Sequence, residues 1–168
     1  MPNGLSEEIR HPELKRLYGY WMEKKGTRLA PARSDIHPGE MRSSHLFMLE
    51  VLGQPPRFRF RLAGSEIVNR FGEEITGRFL DGIDLDEVGG EILREYENAA
   101  SQAQPIYGLW NYTRHGGHHM RYERLILPLS SDGERVDMLL CGAHVDGWCP
   151  ATASGRQSGP RSATPSMS

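Results

Sequence analysis

The sequence predicts an α+β fold in which a five-stranded antiparallel sheet carries helices on one face. Three observations support this prediction. Five segments have the alternation or the aromatic and β-branched content of strands, and turn residues separate them. Two segments with helical spacing lie between the second and third of these strands. The remaining observation is one more amphipathic segment before the first strand, which adds an N-terminal helix.

The N-terminal helix is predicted to begin at His11-Pro12-Glu13 and to end near Gly26. Proline is tolerated in the first turn of a helix, and an acidic residue is favourable there. The apolar stripe follows the i, i+3, i+4, i+7 spacing and consists of Leu14, Leu17, Tyr18 and Trp21. We expect this stripe to dock on the domain core, and a homodimer interface through the same four residues is the alternative.

The first two strands are predicted over residues 45–52 and 58–62, joined by a turn at Gly53-Gln54-Pro55-Pro56. In the second strand, strict alternation indicates that one face is buried. That face is predicted to hold Phe58, Phe60 and Leu62, with Arg59 and Arg61 on the other.

Two helices follow. Ser65 is a good N-cap for a short helix that carries Ile67, Val68 and Phe71 and ends at Gly72. The long helix is predicted over residues 84–104, and Gly89-Gly90 weakens its first turns because mid-helix glycine costs about 1 kcal/mol relative to alanine. Pro105 marks its end.

Three strands close the domain, over residues 106–113, 120–129 and 136–145. Gly116-Gly117 is a hairpin signal between the first two of them. From Trp148 onward the chain is rich in proline and serine and has almost no aliphatic residues, so it cannot bury enough surface to offset its ordering entropy. We therefore predict a flexible segment (1–10), a helix with an irregular connection (11–44), the domain (45–146) and a disordered tail (147–168).

Composition excludes several classes of protein. The 168 residues suffice for one domain that buries a core without disulfides. A formal net charge of −2 argues against a dedicated nucleic-acid binder, which would show a basic patch or a high pI. The two cysteines form no disulfide framework, and the sequence has neither a signal-peptide core nor the ~20-residue apolar run of a membrane span. We expect a cytoplasmic protein that binds neither nucleic acid nor membrane.

The order of elements and five short motifs resemble a PAS-related single-domain family of alphaproteobacteria, in which a helix precedes the domain. The resemblance covers residues 14–145 and implies a PAS-like fold in a stand-alone sensory or regulatory module for signal transduction, acting on a protein partner. The motifs are Leu17-Tyr18-Gly19-Tyr20-Trp21, Phe58-Arg59-Phe60-Arg61-Leu62-Ala63-Gly64, Thr76-Gly77-Arg78, Arg121-Tyr122-Glu123-Arg124-Leu125-Ile126-Leu127-Pro128-Leu129 and Val136-Asp137-Met138.

PAS-like domains often hold a small molecule between the sheet and the helices. Flavin photosensors resemble GRNCRFLQ where this chain has Gly77-Arg78-Phe79-Leu80, so without that cysteine we expect no flavin adduct. Haem-binding PAS domains usually place an axial histidine on the long helix, where residues 84–104 have none, although His45 or His144 would serve another geometry. The cofactor therefore stays unknown. The candidate ligand-binding residues are Phe60, Ile67, Phe71, Ile92, Tyr96, Trp110, Tyr122 and Met138.

Other polar groups give less specific signals. His115, His118 and His119 flank the predicted hairpin turn and are the candidates for a metal site, but a solvated hairpin tip is the preferred interpretation. Glu123, between Arg121 and Arg124, is expected in a cross-strand ion pair. No nucleophile or phosphate-loop motif indicates an enzyme. Two alternatives to a ligand sensor remain, a ligand-free dimerisation module and a small cavity enzyme of the ketosteroid-isomerase kind.

Overall fold

The computed structural model describes residues 2–37, 44–71, 74–82, 89–113 and 118–150, and it confirms the predicted α+β fold with an N-terminal helix. The helices are α1 (Pro2–Glu8), α2 (Pro12–Lys25), α3 (Ser65–Phe71) and α4 (Gly89–Gln102). The strands are β1 (Leu46–Leu52), β2 (Arg57–Ala63), β3 (Ile106–Thr113), β4 (His118–Leu129) and β5 (Met138–Pro150). Within the described ranges, no helix has the length and apolar character needed to cross a membrane.

The two ends of the chain differ from expectation. We predicted a flexible segment over residues 1–10, but Pro2–Glu8 forms α1, and Ile9 after it is 1% exposed. The apolar positions Leu5 and Ile9 explain this, because both pack on the same core as α2. β5 runs to Pro150, beyond the predicted domain end at 146. Residues 151–168, which were predicted to be disordered, lie outside the described residues.

All strand pairs are antiparallel, and the order across the sheet is β2-β1-β5-β4-β3. β5 is the central strand. On one side it pairs with β1, where Phe47 lies opposite Cys141, and on the other with β4, where Ile126 lies opposite the same cysteine. The sheet therefore joins an N-terminal hairpin and a C-terminal meander through one strand.

Both faces of the sheet are apolar, and each packs against helices. The α4-side layer, between the sheet and helices α3 and α4, contains the buried residues Phe47, Leu49, Phe58, Phe60, Ile67, Ile92, Tyr96, Ala99, Ile126, Leu139, Cys141 and Ala143. The α2-side layer, on the opposite face, contains Ile9, Leu14, Leu17, Tyr18, Trp21, Leu46, Met48, Tyr107, Leu125, Leu127, Leu129 and Leu140. Alternate residues of β4 and β5 thus enter opposite layers, as strand geometry requires.

Helix α2 begins and ends where the sequence predicted, at Pro12 and Lys25. His11 is the N-cap, and its Nδ1 accepts a hydrogen bond from the Glu13 backbone N–H at 3.1 Å. Pro12 occupies the first turn, where its missing N–H costs nothing. At the other end, Gly26 takes a positive φ of 58° and donates its N–H to the Met22 carbonyl.

The apolar stripe of α2 is buried within this chain. The four residues named as a dimer interface (Leu14, Leu17, Tyr18 and Trp21) are each at most 4% exposed. Trp21 Nε1 donates to the Pro128 carbonyl at 2.8 Å, which ties the helix to β4. Gly142 lies beneath α2, because a Cβ there would come within 2.7 Å of Leu14 Cδ2. The stripe therefore packs on the sheet, and a homodimer through it would require α2 to leave its place.

The alternation predicted for β2 changes at one position. Phe58 and Phe60 are 2% exposed in the α4-side layer, but Leu62 is 39% exposed. The register explains the difference, because Leu49 pairs with Phe60 whereas Met48 pairs with Leu62, so β2 has one extra residue at Arg61. A bulge of this kind shifts every later side chain to the opposite face.

Trp21→Ala tests whether α2 belongs to the cooperative core. We expect it to lower the free energy of unfolding by about 3–5 kcal/mol, the usual cost of truncating a buried tryptophan. Urea denaturation followed by far-UV circular dichroism measures this. The matched control is Lys15→Ala on the exposed side of the same helix, with an effect within about 0.5 kcal/mol. Equal effects of the two substitutions would show that α2 does not contribute to the core.

Gly64 is required by a close approach between two backbone segments. A Cβ at this position would lie 2.3 Å from the Ser44 carbonyl oxygen, and that oxygen accepts the Glu66 N–H at 3.0 Å. We therefore expect Gly64→Ala to destabilise the protein, since backbone atoms must move apart. Gly19→Ala within α2 is the control, because a Cβ there meets nothing within 4 Å. Gly19→Ala should instead stabilise the protein by about 0.5–1 kcal/mol. Thermal unfolding of both variants checks the opposite signs.

Candidate functional site

The α4-side layer brings together most of the predicted ligand-binding residues. Ile92 and Tyr96 come from α4, Ile67 from α3, Phe60 from β2 and Tyr122 from β4. Tyr122 is half-buried, and the other four are at most 6% exposed. In the α4 sequence, Ile92, Tyr96 and Ala99 recur at helical spacing and give the helix its buried side. This layer is where the resemblance to PAS domains implied a ligand.

Met138 does not join this layer. It packs against the α2-side layer, together with Leu140 of the same strand. Along β5, Leu139 and Cys141 face α4, and Met138 therefore faces the opposite side of the sheet. The prediction that Met138 lies in the ligand-binding layer is wrong. The backbone of Trp110 pairs with that of Tyr122, and Phe71 is the last residue of α3. The side chains of Trp110 and Phe71 lie outside the described part of the chain.

A residue that was not predicted lies at the centre of the candidate site. Arg124 of β4 is fully buried, and its Nη2 lies 2.5 Å from Glu95 Oε1 on α4. The guanidinium carbon is 4.9 Å from the ring centroid of Tyr122 and 5.4 Å from that of Tyr96. One arginine therefore contacts a carboxylate and two aromatic rings inside an apolar layer.

The residues paired with Arg124 in the two neighbouring strands are both small. Arg124 pairs with Gly108 of β3 on one side and with Ala143 of β5 on the other. Cross-strand partners share a face of the sheet, so neither neighbouring strand places a large side chain directly beside the guanidinium. Glu95 is 15% exposed and lies closer to solvent than the arginine.

The charges of the site follow from its contacts. Burial alone would lower the pKa of Arg124, but Glu95, Tyr122 and Tyr96 together raise it well above its ordinary value, so the guanidinium stays charged. Burial raises the pKa of Tyr96 well above its ordinary value. Burial likewise raises the pKa of the Cys141 thiol, which therefore stays protonated in the same layer.

Glu123 has a different role from the one predicted. We expected a cross-strand ion pair, but Glu123 Oε2 accepts hydrogen bonds from the Tyr107 hydroxyl at 2.8 Å and from the Arg10 and His11 backbone N–H groups at 3.0 and 2.9 Å. Adjacent residues in a strand face opposite ways, so Glu123 lies on the α2 side while Arg124 lies on the α4 side. The hydrogen bond to Glu123 and burial raise the pKa of Tyr107, with burial the larger cause.

The predicted histidine sites separate into two groups. His115 lies outside the described residues, and the side chains of His118 and His119 in β4 are likewise not described. His45 and His144 stack on each other with ring centroids 4.0 Å apart, and His144 also stacks on His11 at the start of α2. His45 and His144 therefore lie on the α2 side, where they are not placed to ligate a haem between the sheet and α4.

Comparison with known proteins agrees with this architecture. A family model described as "PAS domain" matches residues 9–143, which is most of the chain. The chain therefore belongs to the PAS domain family. None of the curated proteins matches the sequence.

Similar solved structures include the light-oxygen-voltage (LOV) protein of Rhodobacter sphaeroides, which is 14% identical with a TM-score of 0.48, over 63% of this chain and 62% of that one. A LOV domain studied with a flavin analogue is 12% identical with a TM-score of 0.46, over 61% and 76%. An RNA-binding LOV receptor is 18% identical with a TM-score of 0.43, over 75% of this chain and 37% of that one. Because these TM-scores are below 0.5, the fold assignment rests on the sheet topology and the family match.

A double-mutant cycle tests the ion pair between Arg124 and Glu95. Glu95→Met removes the carboxylate that faces a fully buried guanidinium, and breaking a buried pair in this way costs about 3–5 kcal/mol. Arg124→Met should cost less, because Glu95 is partly exposed and can turn to water. The Glu95→Met/Arg124→Met double variant should be more stable than the sum of the single effects predicts. Urea denaturation of the four proteins measures this coupling, and additive effects would contradict it.

Proposed function

We propose that this PAS domain is a sensory and regulatory module whose α4-side layer binds a small organic anion through Arg124. The observation that supports the proposal most directly is a fully buried arginine that contacts two aromatic rings. A buried ion pair is weak evidence for stability, because apolar residues of similar volume often replace one without loss. Its presence in the layer where PAS-like domains hold ligands therefore suggests recognition rather than folding.

The chemistry of the site favours a carboxylate with an aromatic or apolar body. A guanidinium binds a carboxylate through two parallel hydrogen bonds, which fixes the orientation of the ligand as well as its charge. The rings of Phe60 and Tyr96 belong to the same layer and suit an apolar body. Gly108 and Ala143, which pair with Arg124, add no large side chain beside the guanidinium.

Glu95 supplies a mechanism for passing on the bound state. In this structure the Glu95 carboxylate forms an ion pair with Arg124, and an anionic ligand would have to displace that carboxylate. Because Glu95 is partly exposed, the displaced carboxylate would turn to solvent and change the packing of α4. Ligand binding would thus shift the population between two arrangements of this helix. The exposed positions of α4, which include Glu91, Arg94 and Glu97, form a polar surface for a signalling protein partner.

Flavin photochemistry and catalysis are not part of the proposal. The cysteine side chain that the structure describes is that of Cys141, a protonated thiol in the core of β5. Cys149 lies near the end of β5, its side chain is not described, and the Gly77–Leu80 loop carries no cysteine. An enzyme of the ketosteroid-isomerase kind needs a carboxylate that is ready to accept a proton. Glu95 is held by a guanidinium and Glu123 by three donors on the opposite face, so neither is arranged as such a base.

Native mass spectrometry of the freshly purified protein is the first test. We expect added mass on the monomer from a copurifying anion. A mass of two chains with no added mass would instead support the ligand-free dimerisation module.

Defined probes then test the role of Arg124, with benzoate and acetate as the aromatic and minimal carboxylates and affinity measured by NMR titration. Arg124→Met should lose benzoate binding, and the Glu95→Met/Arg124→Met variant should fold and also fail to bind. Glu95→Gln should bind benzoate more tightly than the wild type, because the internal competitor is gone. Arg61→Met, on an exposed arginine, is the control and should leave binding unchanged. Equal benzoate binding by the wild type and Arg124→Met, or none by wild type and Glu95→Gln, would refute the site.

A further inference from the structure

Three imidazoles and a carboxylate meet where α2 begins. His11 is the N-cap of α2 and Glu13 is in its first turn, while His144 comes from β5 and His45 from the residue before β1. The rings of His11 and His144 are 3.5 Å apart and nearly parallel, and the ring of His45 stacks on the other side of His144 at 4.0 Å. Glu13 Oε1 lies 3.3 Å from His144 Nε2. The cluster joins three separate parts of the chain on the face opposite Arg124.

His144 carries a polar atom that protein groups do not satisfy. Its side chain is 9% exposed, and its Nε2 is buried without a hydrogen-bond partner, since the short distance to Glu13 lacks hydrogen-bond geometry. A buried polar atom in this situation is costly unless something else occupies it.

The segment that carries His11 is tied to the sheet. His11 Nδ1 accepts the Glu13 N–H, so the neutral ring carries its proton on Nε2, and ligation through either nitrogen would give up this cap hydrogen bond. Glu123 Oε2 accepts the backbone N–H groups of Arg10 and His11 and so fixes the segment that carries the ring. Glu13 is partly exposed, with 41% of its side chain accessible, which gives an ion a route from solvent.

The donor set has the composition and the spacing of a metal site. One ligand atom from each of His11, Glu13 and His144 lies within 4.8 Å of the others. Two imidazoles and a carboxylate suit Zn²⁺ and other divalent first-row transition metals, for which the bonds are about 2.0–2.2 Å. Stacked rings must tilt to direct their nitrogens at one ion, so binding would replace the stack by coordination.

We propose that His11, Glu13 and His144 bind a divalent transition-metal ion, with zinc as the reference ion, and that this ion fastens the start of α2 to the sheet. His45, stacked on His144, is the adjacent residue from which a fourth ligand would come. The site lies in the α2-side layer, so this proposal does not rest on a ligand at Arg124. Metal binding would stabilise the docked position of α2, since an ion that binds only the folded protein shifts the unfolding equilibrium.

Titration of the metal-free full chain with zinc chloride, in competition with a chromophoric chelator, tests the site. We expect one zinc ion per chain and a shift of the urea midpoint to higher concentration. His144→Phe keeps an aromatic ring in the stack, and His11→Asn keeps a good N-cap, yet each should bind zinc at least ~10-fold more weakly. Glu13→Gln should also weaken binding, and because its side chain is half-exposed the variant should fold normally.

Two control proteins separate this site from the other histidines. His37→Ala removes an exposed histidine outside the cluster, and His118→Ala/His119→Ala removes the histidines of the predicted hairpin. Both should bind zinc as the wild type does, with the same gain in urea resistance. The proposal is overturned if the wild type binds no zinc, if the cluster variants bind it as tightly as the wild type, or if only the hairpin variant loses it.

Discussion

The sheet is apolar on both faces, and the rest of the structure depends on covering both of them. The central strand shows why, because Leu139, Cys141 and Ala143 of β5 enter one layer while Leu140 and His144 of the same strand enter the other. Helix α4 covers the first face, and α2 with the residues before it covers the second. Helix α2 is thus part of the hydrophobic core, since leaving its buried side chains and their partners in water would forfeit their transfer free energy.

The same two-sided sheet places unlike charges on opposite faces of one strand. Glu123 and Arg124 are adjacent in β4, and each is buried, but their partners differ in kind. Glu123 accepts hydrogen bonds from two backbone N–H groups and a hydroxyl on the α2 side, and these bonds tie the N-terminal segment to the sheet. Arg124 faces the partly exposed carboxylate of Glu95 and two aromatic rings. The first contact supports a fixed docking of α2, and the second supports a response to a ligand.

The two proposed sites are connected through neighbouring strands. Glu123 lies opposite His144 in the register of β4 and β5, and Arg124 lies opposite Ala143 in the same register. An ion at the histidine cluster and an anion at Arg124 would therefore contact adjacent residue pairs from opposite faces of the sheet. Linkage requires that any effect of one ligand on the affinity for the other be reciprocal. The register gives these two sites a short physical path, while their chemistry keeps them separate.

Local sequence patterns determined the elements of this protein. The start of α2 at Pro12, the short helix from Ser65 and the strand Ile106–Thr113 each depend on signals within a few residues, and the structure has them in the predicted places. Tertiary structure decided which face a residue occupies and which distant residues meet. The extra residue at Arg61 turned Leu62 outward, and the start of β5 placed Met138 in the other layer. Neither the pairing of Arg124 with Glu95 nor the meeting of His11, His45 and His144 has a local pattern, because those contacts arise only when strands and helices pack.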